Sequence, residues 1–160
     1  MRILVVSDTH GNLSNVYRVI NDIRGKIDAV IHCGDIVEDV QNIKNRFPEL
    51  KYYSVRGNCD YGSSVPNEEV LMIGGKRFFV THGDMYSVNW GIDRLCYRGA
   101  EVLADVCVYG HTHIPLIDNY NGMIIMNPGS LSSPRGGSTY SYGIVKIEDG
   151  IVTPSIVELK

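Results

Sequence analysis

The chain has 160 residues, 44% hydrophobic and 21% charged, with 15 basic against 18 acidic side chains and a formal net charge of −3. That length suffices for one domain, residues 1–160, with a full core and no need of disulfides or a structural metal. The mildly acidic balance, without any basic run, argues against the footprint of a nucleic-acid or anionic-membrane binder. No apolar stretch is long enough to span a bilayer, and the apolar run Ile3–Val6 ends in Ser7-Asp8 without the features of a signal peptide. Cys33, Cys59, Cys96 and Cys107 form no C-x-x-C pair and read as free thiols of a reducing compartment, so a cytoplasmic location is expected.

In chain order, Ile3–Val6 is a continuous apolar run of the kind buried on both faces of a parallel sheet. Asn12–Ile23 follows with Leu13, Val16, Val19, Ile20 and Ile23 at helical spacing. Asp28–His32 reads as a second strand, Val37–Phe47 as a helix stopped by Pro48, and Tyr52–Val55 as a third strand. This β-α-β-α-β order predicts a parallel sheet with right-handed crossovers. The second half reads as hairpins: Glu69–Ile73 with Lys76–Thr81 across Gly74-Gly75, Leu116–Tyr120 with Met123–Met126 across Asn121-Gly122, and Tyr142–Glu148 with Ile151–Val157 across Asp149-Gly150. Asn89–Ala104 reads as one or two helices and Val106–Tyr109 as another buried strand. The expected fold is α/β, a two-sheet β sandwich flanked by helices.

Short apolar runs end, one after another, in Asp8-Thr9-His10-Gly11, Gly34-Asp35, Gly57-Asn58, His82-Gly83 and Gly110-His111-Thr112-His113. Taken singly, the first also reads as a helix cap and the next two as turns. Taken together they predict one cluster at the ends of several buried strands. Carboxylate, amide oxygen and imidazole suit a borderline divalent ion such as Mn²⁺, Fe²⁺, Co²⁺, Ni²⁺ or Zn²⁺. Seven donors exceed one tetrahedral site and suit two ions roughly 3.5–4 Å apart, bridged by a carboxylate and a water whose pKa falls from about 15.7 towards ~7. The implied chemistry is attack of that hydroxide on a phosphate ester.

The order D-x-H, G-D, G-N, H-G, G-H-x-H over Ile3 to Arg135 resembles the calcineurin-like metallophosphoesterase superfamily. The short length and Asn127-Pro128-Gly129-Ser130 resemble its small bacterial and archaeal phosphodiesterase branch. The resemblance implies that Asp8, His10 and His113 bind one metal, Asp35 bridges, and Asn58, His82 and His111 complete the second. Asp35, Asn58 and His111 would then act in catalysis with the bridging water. Mn²⁺ is the first expectation for the two ions, with Ni²⁺, Fe²⁺, Co²⁺ or Zn²⁺ as alternatives. The implied activity is phosphodiesterase, with phosphomonoesterase or nucleotide phosphatase as the runner-up. A third reading is a non-catalytic scaffold like the retromer subunit of this fold, whose metal ligands are degraded. A small phosphate ester is the expected partner, without nucleic acid or membrane. Edge strands and the apolar Ile124-Ile125-Met126 suggest a homodimer or homotetramer.

One position departs from the family pattern. Most of the superfamily has histidine where Cys59 stands, and a thiol cannot act as a cationic phosphate contact. Leaving-group protonation is therefore in doubt, which favours esters with good leaving groups. Cys59 otherwise reads as a small side chain of the pocket wall. His32 reads as a structural residue, and Asp60 as a carboxylate orienting a ligand. Arg135 either holds a phosphate oxygen or is a solvated surface arginine, while Tyr86, Trp90 and Tyr97 either wall the pocket or pack in the core.

Overall fold

A computed structural model describes residues 1–160. The elements in chain order are β1 (Arg2–Val6), α1 (Ser14–Ile23), β2 (Ala29–His32), α2 (Val37–Arg46), β3 (Lys51–Ser54), β4 (Glu68–Ile73) and β5 (Lys76–Thr81). Then come α3 (Asp93–Glu101), β6 (Val106–Val108), β7 (Leu116–Tyr120), β8 (Met123–Asn127), β9 (Ser141–Glu148) and β10 (Ile151–Glu158). They build two five-stranded sheets of order β10-β9-β1-β2-β3 and β4-β5-β6-β8-β7.

Side-chain alternation makes the layers. In β1, Ile3 and Val5 face the second sheet, joining Ala29, Ile31, Phe78, Val80, Val106, Val108 and Met126 in the core between sheets. Leu4 and Val6 point the other way, onto Val16, Val19 and Ile20 of α1 and Ile43 of α2. The outer face of the second sheet puts Phe79, Cys107 and Ile125 against Leu95 and Cys96 of α3. The α1 and α3 faces follow from apolar spacing along each helix, so the helices cover both outer faces of the sandwich.

The three expected hairpins form, and all three turns place both central residues at positive φ: Gly74 and Gly75, Asn121 and Gly122, Asp149 and Gly150. That geometry matches the right-handed twist of the strands they join. β1, β2 and β3 pair in parallel, and so do β5, β6 and β8, while β9 pairs antiparallel with β1, β4 with β5 and β7 with β8, so both sheets are mixed.

Several boundaries differ from the sequence reading. Asn12 and Leu13 precede α1, because the Asn12 N–H closes a turn on the Thr9 carbonyl at 2.9 Å. Residues 89–92 stay outside α3, which is a single helix. The Ile124–Met126 segment is no exposed apolar edge: β8 lies between β6 and β7, and Ile125 and Met126 are fully buried, so it gives no support to self-association. No helix is long and apolar enough to cross a membrane.

Candidate metal centre

The carboxyl ends of the parallel strands from both sheets meet at one end of the sandwich, the usual place for a ligand site in such sheets. Asp8 and His10 follow β1, Asp35 follows β2, Asn58 follows β3, His82 follows β5, and His111 and His113 follow β6. Five of these seven hold left-handed backbone, Asp8 at φ 55°, His10 at 47°, Asp35 at 65°, His111 at 69° and His113 at 59°. Non-glycine residues rarely sit there, and such conformations concentrate at functional sites where the surroundings enforce them. The turn they create swings each side chain back over the strand ends.

All seven predicted residues come together. His10 Nε2 lies 3.5 Å from Asp35 Oδ2, 3.9 Å from Asp8 Oδ1 and 3.3 Å from His113 Nε2, which is 3.2 Å from Asp8 Oδ1. On the other side, His82 Nε2 is 3.4 Å from Asp35 Oδ2, 3.0 Å from Asn58 Oδ1 and 3.2 Å from His111 Nδ1. Asn58 Oδ1 and His111 Nδ1 are 3.1 Å apart. Asp35 Oδ2 thus lies between His10 and His82, and Asp8 Oδ1 reaches His82 Nε2 as well, at 3.8 Å. The floor, Asp8, Asp35, His82 and His113, is buried, whereas His10 and Asn58 form an open rim.

These donors fit divalent ions by what their other atoms do. His82 Nδ1 donates to the Cys33 carbonyl at 2.8 Å and His113 Nδ1 to that of Ser133 at 2.5 Å, which turns each Nε2 towards the cluster. Asp8 Oδ2 accepts from Ser7 Oγ and the His111 N–H, at 2.6 and 2.9 Å. Its Oδ1 is buried without any hydrogen bond, since His113 Nε2 is close but not aligned for one. A buried carboxylate oxygen left unpaired is costly, and a cation removes that cost.

Residues outside the predicted donor set hold the loops, His32 in the structural role expected of it. His32 Nδ1 accepts the Gly34 N–H at 3.2 Å, so Nε2 carries the proton and donates to Thr9 Oγ1 at 3.0 Å, and Thr9 donates to Asp39 Oδ2 at 2.5 Å. Asp39 also accepts the Gly11 N–H. Burial pushes the His32 imidazole down to about 4, which keeps it neutral in this chain. Asn127 donates to the Gly110 carbonyl and Thr112 Oγ1, fixing the turn that carries both histidines. Asp60 takes the N–H groups of Gly57 and Val37, both at 2.8 Å; it ties loops together and does not orient an imidazole.

Burial would raise the carboxyl pKa values of Asp8 and Asp35, but the neighbouring imidazoles, His113 and His82 respectively, hold both below the usual range. For His82, burial pushes down and the two aspartates outweigh it, lifting the imidazole to about 9. Since the folded value lies above the unfolded one of about 6.5, this pairing stabilises the metal-free protein fully below pH ~6.5 and is lost as pH rises through about 9. A metal at Nε2 must displace that proton, so apparent metal affinity should climb with pH, by up to about tenfold per unit for one proton. Thermal unfolding with and without Mn²⁺ from pH 6.5 to 9 checks both: the metal-free midpoint falls while the metal-induced rise grows.

Cys59 is exposed, with its Sγ in a trio with His10 and Asp35 whose donor atoms lie within 4.8 Å of one another. Burial and the Asp35 carboxylate push the thiol up to about 11, so it is uncharged at neutral pH. Of the three aromatic residues left open by the sequence, Trp90 is 92% exposed and packs in no core, and Tyr97 is also largely exposed. Tyr86 sits edge-on to Phe79 and donates to Glu68. Arg135 is exposed, its N–H bonded to the His113 carbonyl at 3.2 Å.

The strand ends of this two-sheet sandwich bring buried carboxylates and imidazoles to one point, an arrangement that suits a metal-dependent phosphoric ester hydrolase. The chain belongs to the calcineurin-like phosphoesterase superfamily, whose domain model matches residues 1–150. A crystal structure of a predicted phosphoesterase from Streptococcus pneumoniae is 31% identical, with a TM-score of 0.83 over 98% of this chain and 88% of that one. The Escherichia coli phosphodiesterase YfcE is 29% identical over 91% of this chain and 87% of its own length. Vps29 from Entamoeba histolytica, solved with Zn²⁺, has a TM-score of 0.77 over 98% of both chains at 22% identity, a likeness of fold alone.

Proposed function

We propose that the protein hydrolyses a small phosphodiester using two divalent ions, Asp8, His10 and His113 holding one, Asn58, His82 and His111 the other, and Asp35 both. The observation that carries this reading is the place of Asp35 Oδ2 between His10 and His82, with Asp8 and His113 beside the first and Asn58 and His111 beside the second. Its mixed oxygen and nitrogen donors suit Mn²⁺ first, then Ni²⁺, Fe²⁺, Co²⁺ or Zn²⁺. When bound, such a pair lowers the pKa of water towards ~7 and neutralises charge on phosphoryl oxygens. The chain's own residues fix the geometry: Ser7 and the His111 N–H hold Asp8, the Cys59 N–H holds Asp35 Oδ1 at 3.0 Å, and two carbonyls aim His82 and His113. The four free thiols suit a reducing compartment, in keeping with action in the cytoplasm.

Preference for a diester agrees with the name of the Escherichia coli relative. Turnover of bis(p-nitrophenyl) phosphate against p-nitrophenyl phosphate with Mn²⁺ tests it. The diester should be the better substrate; a faster monoester reaction would transfer the reading to a phosphomonoesterase. The scaffold reading gives no reason for a donor set complete at all seven positions; a protein that binds Mn²⁺ but hydrolyses neither ester would favour it.

With Cys59 as an uncharged thiol, no imidazole stands there to protonate the leaving alkoxide. Cys59→His is expected to raise turnover of alkyl diesters by roughly tenfold or more, with little effect on p-nitrophenyl esters, whose leaving group needs no proton. An unchanged alkyl-to-aryl ratio would count against this.

A further inference from the structure

Two cavities open beside the metal centre, and their linings differ in kind. One of about 340 Å³ is bordered by Cys59, Tyr61, Glu38 and Asp60, so it carries negative charge. The other, of about 410 Å³, has an apolar floor that includes Val88, Ile92, Ile114 and Leu116, with Asn89 and Arg135 at its rim. Its size is that of a small-molecule site, and small-molecule sites are commonly apolar with a few placed polar groups. The second cavity adjoins the centre through two of its lining residues. Asn89 Nδ2 lies 3.0 Å from His111 Nε2, and the Arg135 backbone is bonded to His113. Arg24 and Arg98 are ion-paired, whereas the Arg135 guanidinium has no hydrogen bond or ion pair within the chain.

We infer that the Val88–Leu116 cavity is the subsite for one ester arm of the substrate, an aryl or comparably flat apolar group, and that Arg135 at its rim positions the phosphoryl group through a non-bridging oxygen. This rests on the phosphodiesterase reading. The anionic phosphoryl group is repelled by the Glu38–Asp60 side and attracted by the one unpaired guanidinium beside His113. Arg135 thereby supplies the cationic contact that a cysteine at position 59, which has no cationic form, cannot. An apolar floor selects among ester arms by area buried, where even a methylene or two is worth about tenfold or more.

The test measures binding of phenylphosphonate and methylphosphonate to the Mn²⁺-loaded protein by calorimetry, a readout that needs no turnover. Phenylphosphonate should bind about tenfold more tightly. Ile114→Asp and, independently, Ile92→Ser should bring that ratio close to one. Val70→Asp, on the exposed opposite edge strand β4, should keep it. Arg135→Ala should weaken both ligands and raise KM for diesters more than it lowers kcat, with partial recovery in Arg135→Lys. Equal affinities in the wild-type protein, or a ratio that survives both cavity variants, would overturn the subsite; an Arg135→Ala protein with unaltered affinities and KM would overturn the role of Arg135. Absence of diester hydrolysis alongside an intact phenyl preference would instead remove the reaction and leave the subsite.

Discussion

Replacing Asp35 by Asn should lower phosphodiester turnover by about 10³-fold or more. The substitution keeps the side-chain volume and one oxygen for the Cys59 N–H, so the fold and the loop should persist. It removes the negative charge that stands 3.5 and 3.4 Å from the Nε2 atoms of His10 and His82, at the point common to both donor groups. An ion acting as a Lewis acid is worth several kcal/mol of transition-state stabilisation, and each 1.36 kcal/mol is tenfold in rate, so losing about 4 kcal/mol gives the stated factor. Steady-state kinetics together with bound-metal analysis check the result, and circular dichroism confirms that the variant is folded. Turnover within tenfold of wild type would show that Asp35 does not join the two halves of the site.

The second large effect comes from a residue without a side chain. A Cβ on Gly57 would overlap Asp35 Oδ1 and lie 2.6 Å from the Asp35 backbone nitrogen. Gly57 does not use left-handed backbone, so the requirement is one of space alone. Gly57→Ala must therefore move the Asp35 carboxylate or separate the two loops. Overpacking of this kind costs about 1–3 kcal/mol, which in a chain of this size lowers the melting midpoint by roughly 2–12 °C. Displacing a ligand's support should also weaken metal binding by about 10- to 100-fold. Gly25→Ala is the control: nothing lies within 4 Å of its Cβ, and both quantities should stay near wild type. If Gly57→Ala bound metal as well as Gly25→Ala, the close packing of the β3 loop on Asp35 would have no functional weight.

The sequence carried the fold where local chemistry decides it. The Gly74-Gly75, Asn121-Gly122 and Asp149-Gly150 pairs specify their turns, because few other residues tolerate two successive positive φ angles. The apolar runs of β1 and β2 announce strands covered on both faces. The seven donors are legible only jointly, because carboxylate, amide and imidazole residues follow one apolar run after another, which separate caps and turns do not require. Long-range matters were not legible. Nothing local says that β9 pairs with β1, or that β8 lies inside its sheet and so buries Ile125 and Met126. Asp39 and Asn127 were missed as supports for the same reason: each acts through a hydrogen bond to a loop far away in the chain. The left-handed backbone of the predicted donors is not legible either, because aspartate and histidine, though enriched in that conformation, signal it far more weakly than glycine does. Trp90, which the sequence leaves open between pocket wall and core, lies exposed on its loop, because exposure of a single aromatic residue has no local signature.

Mn²⁺ titration of metal-stripped protein, followed by hydrolysis of bis(p-nitrophenyl) phosphate, tests the central claim most directly. The stripped protein should be inactive, and activity should rise until two ions are bound per chain and then level off. Activity that survives chelation would contradict the account. So would a protein that binds its ions and hydrolyses no diester with Mn²⁺, Ni²⁺, Fe²⁺, Co²⁺ or Zn²⁺.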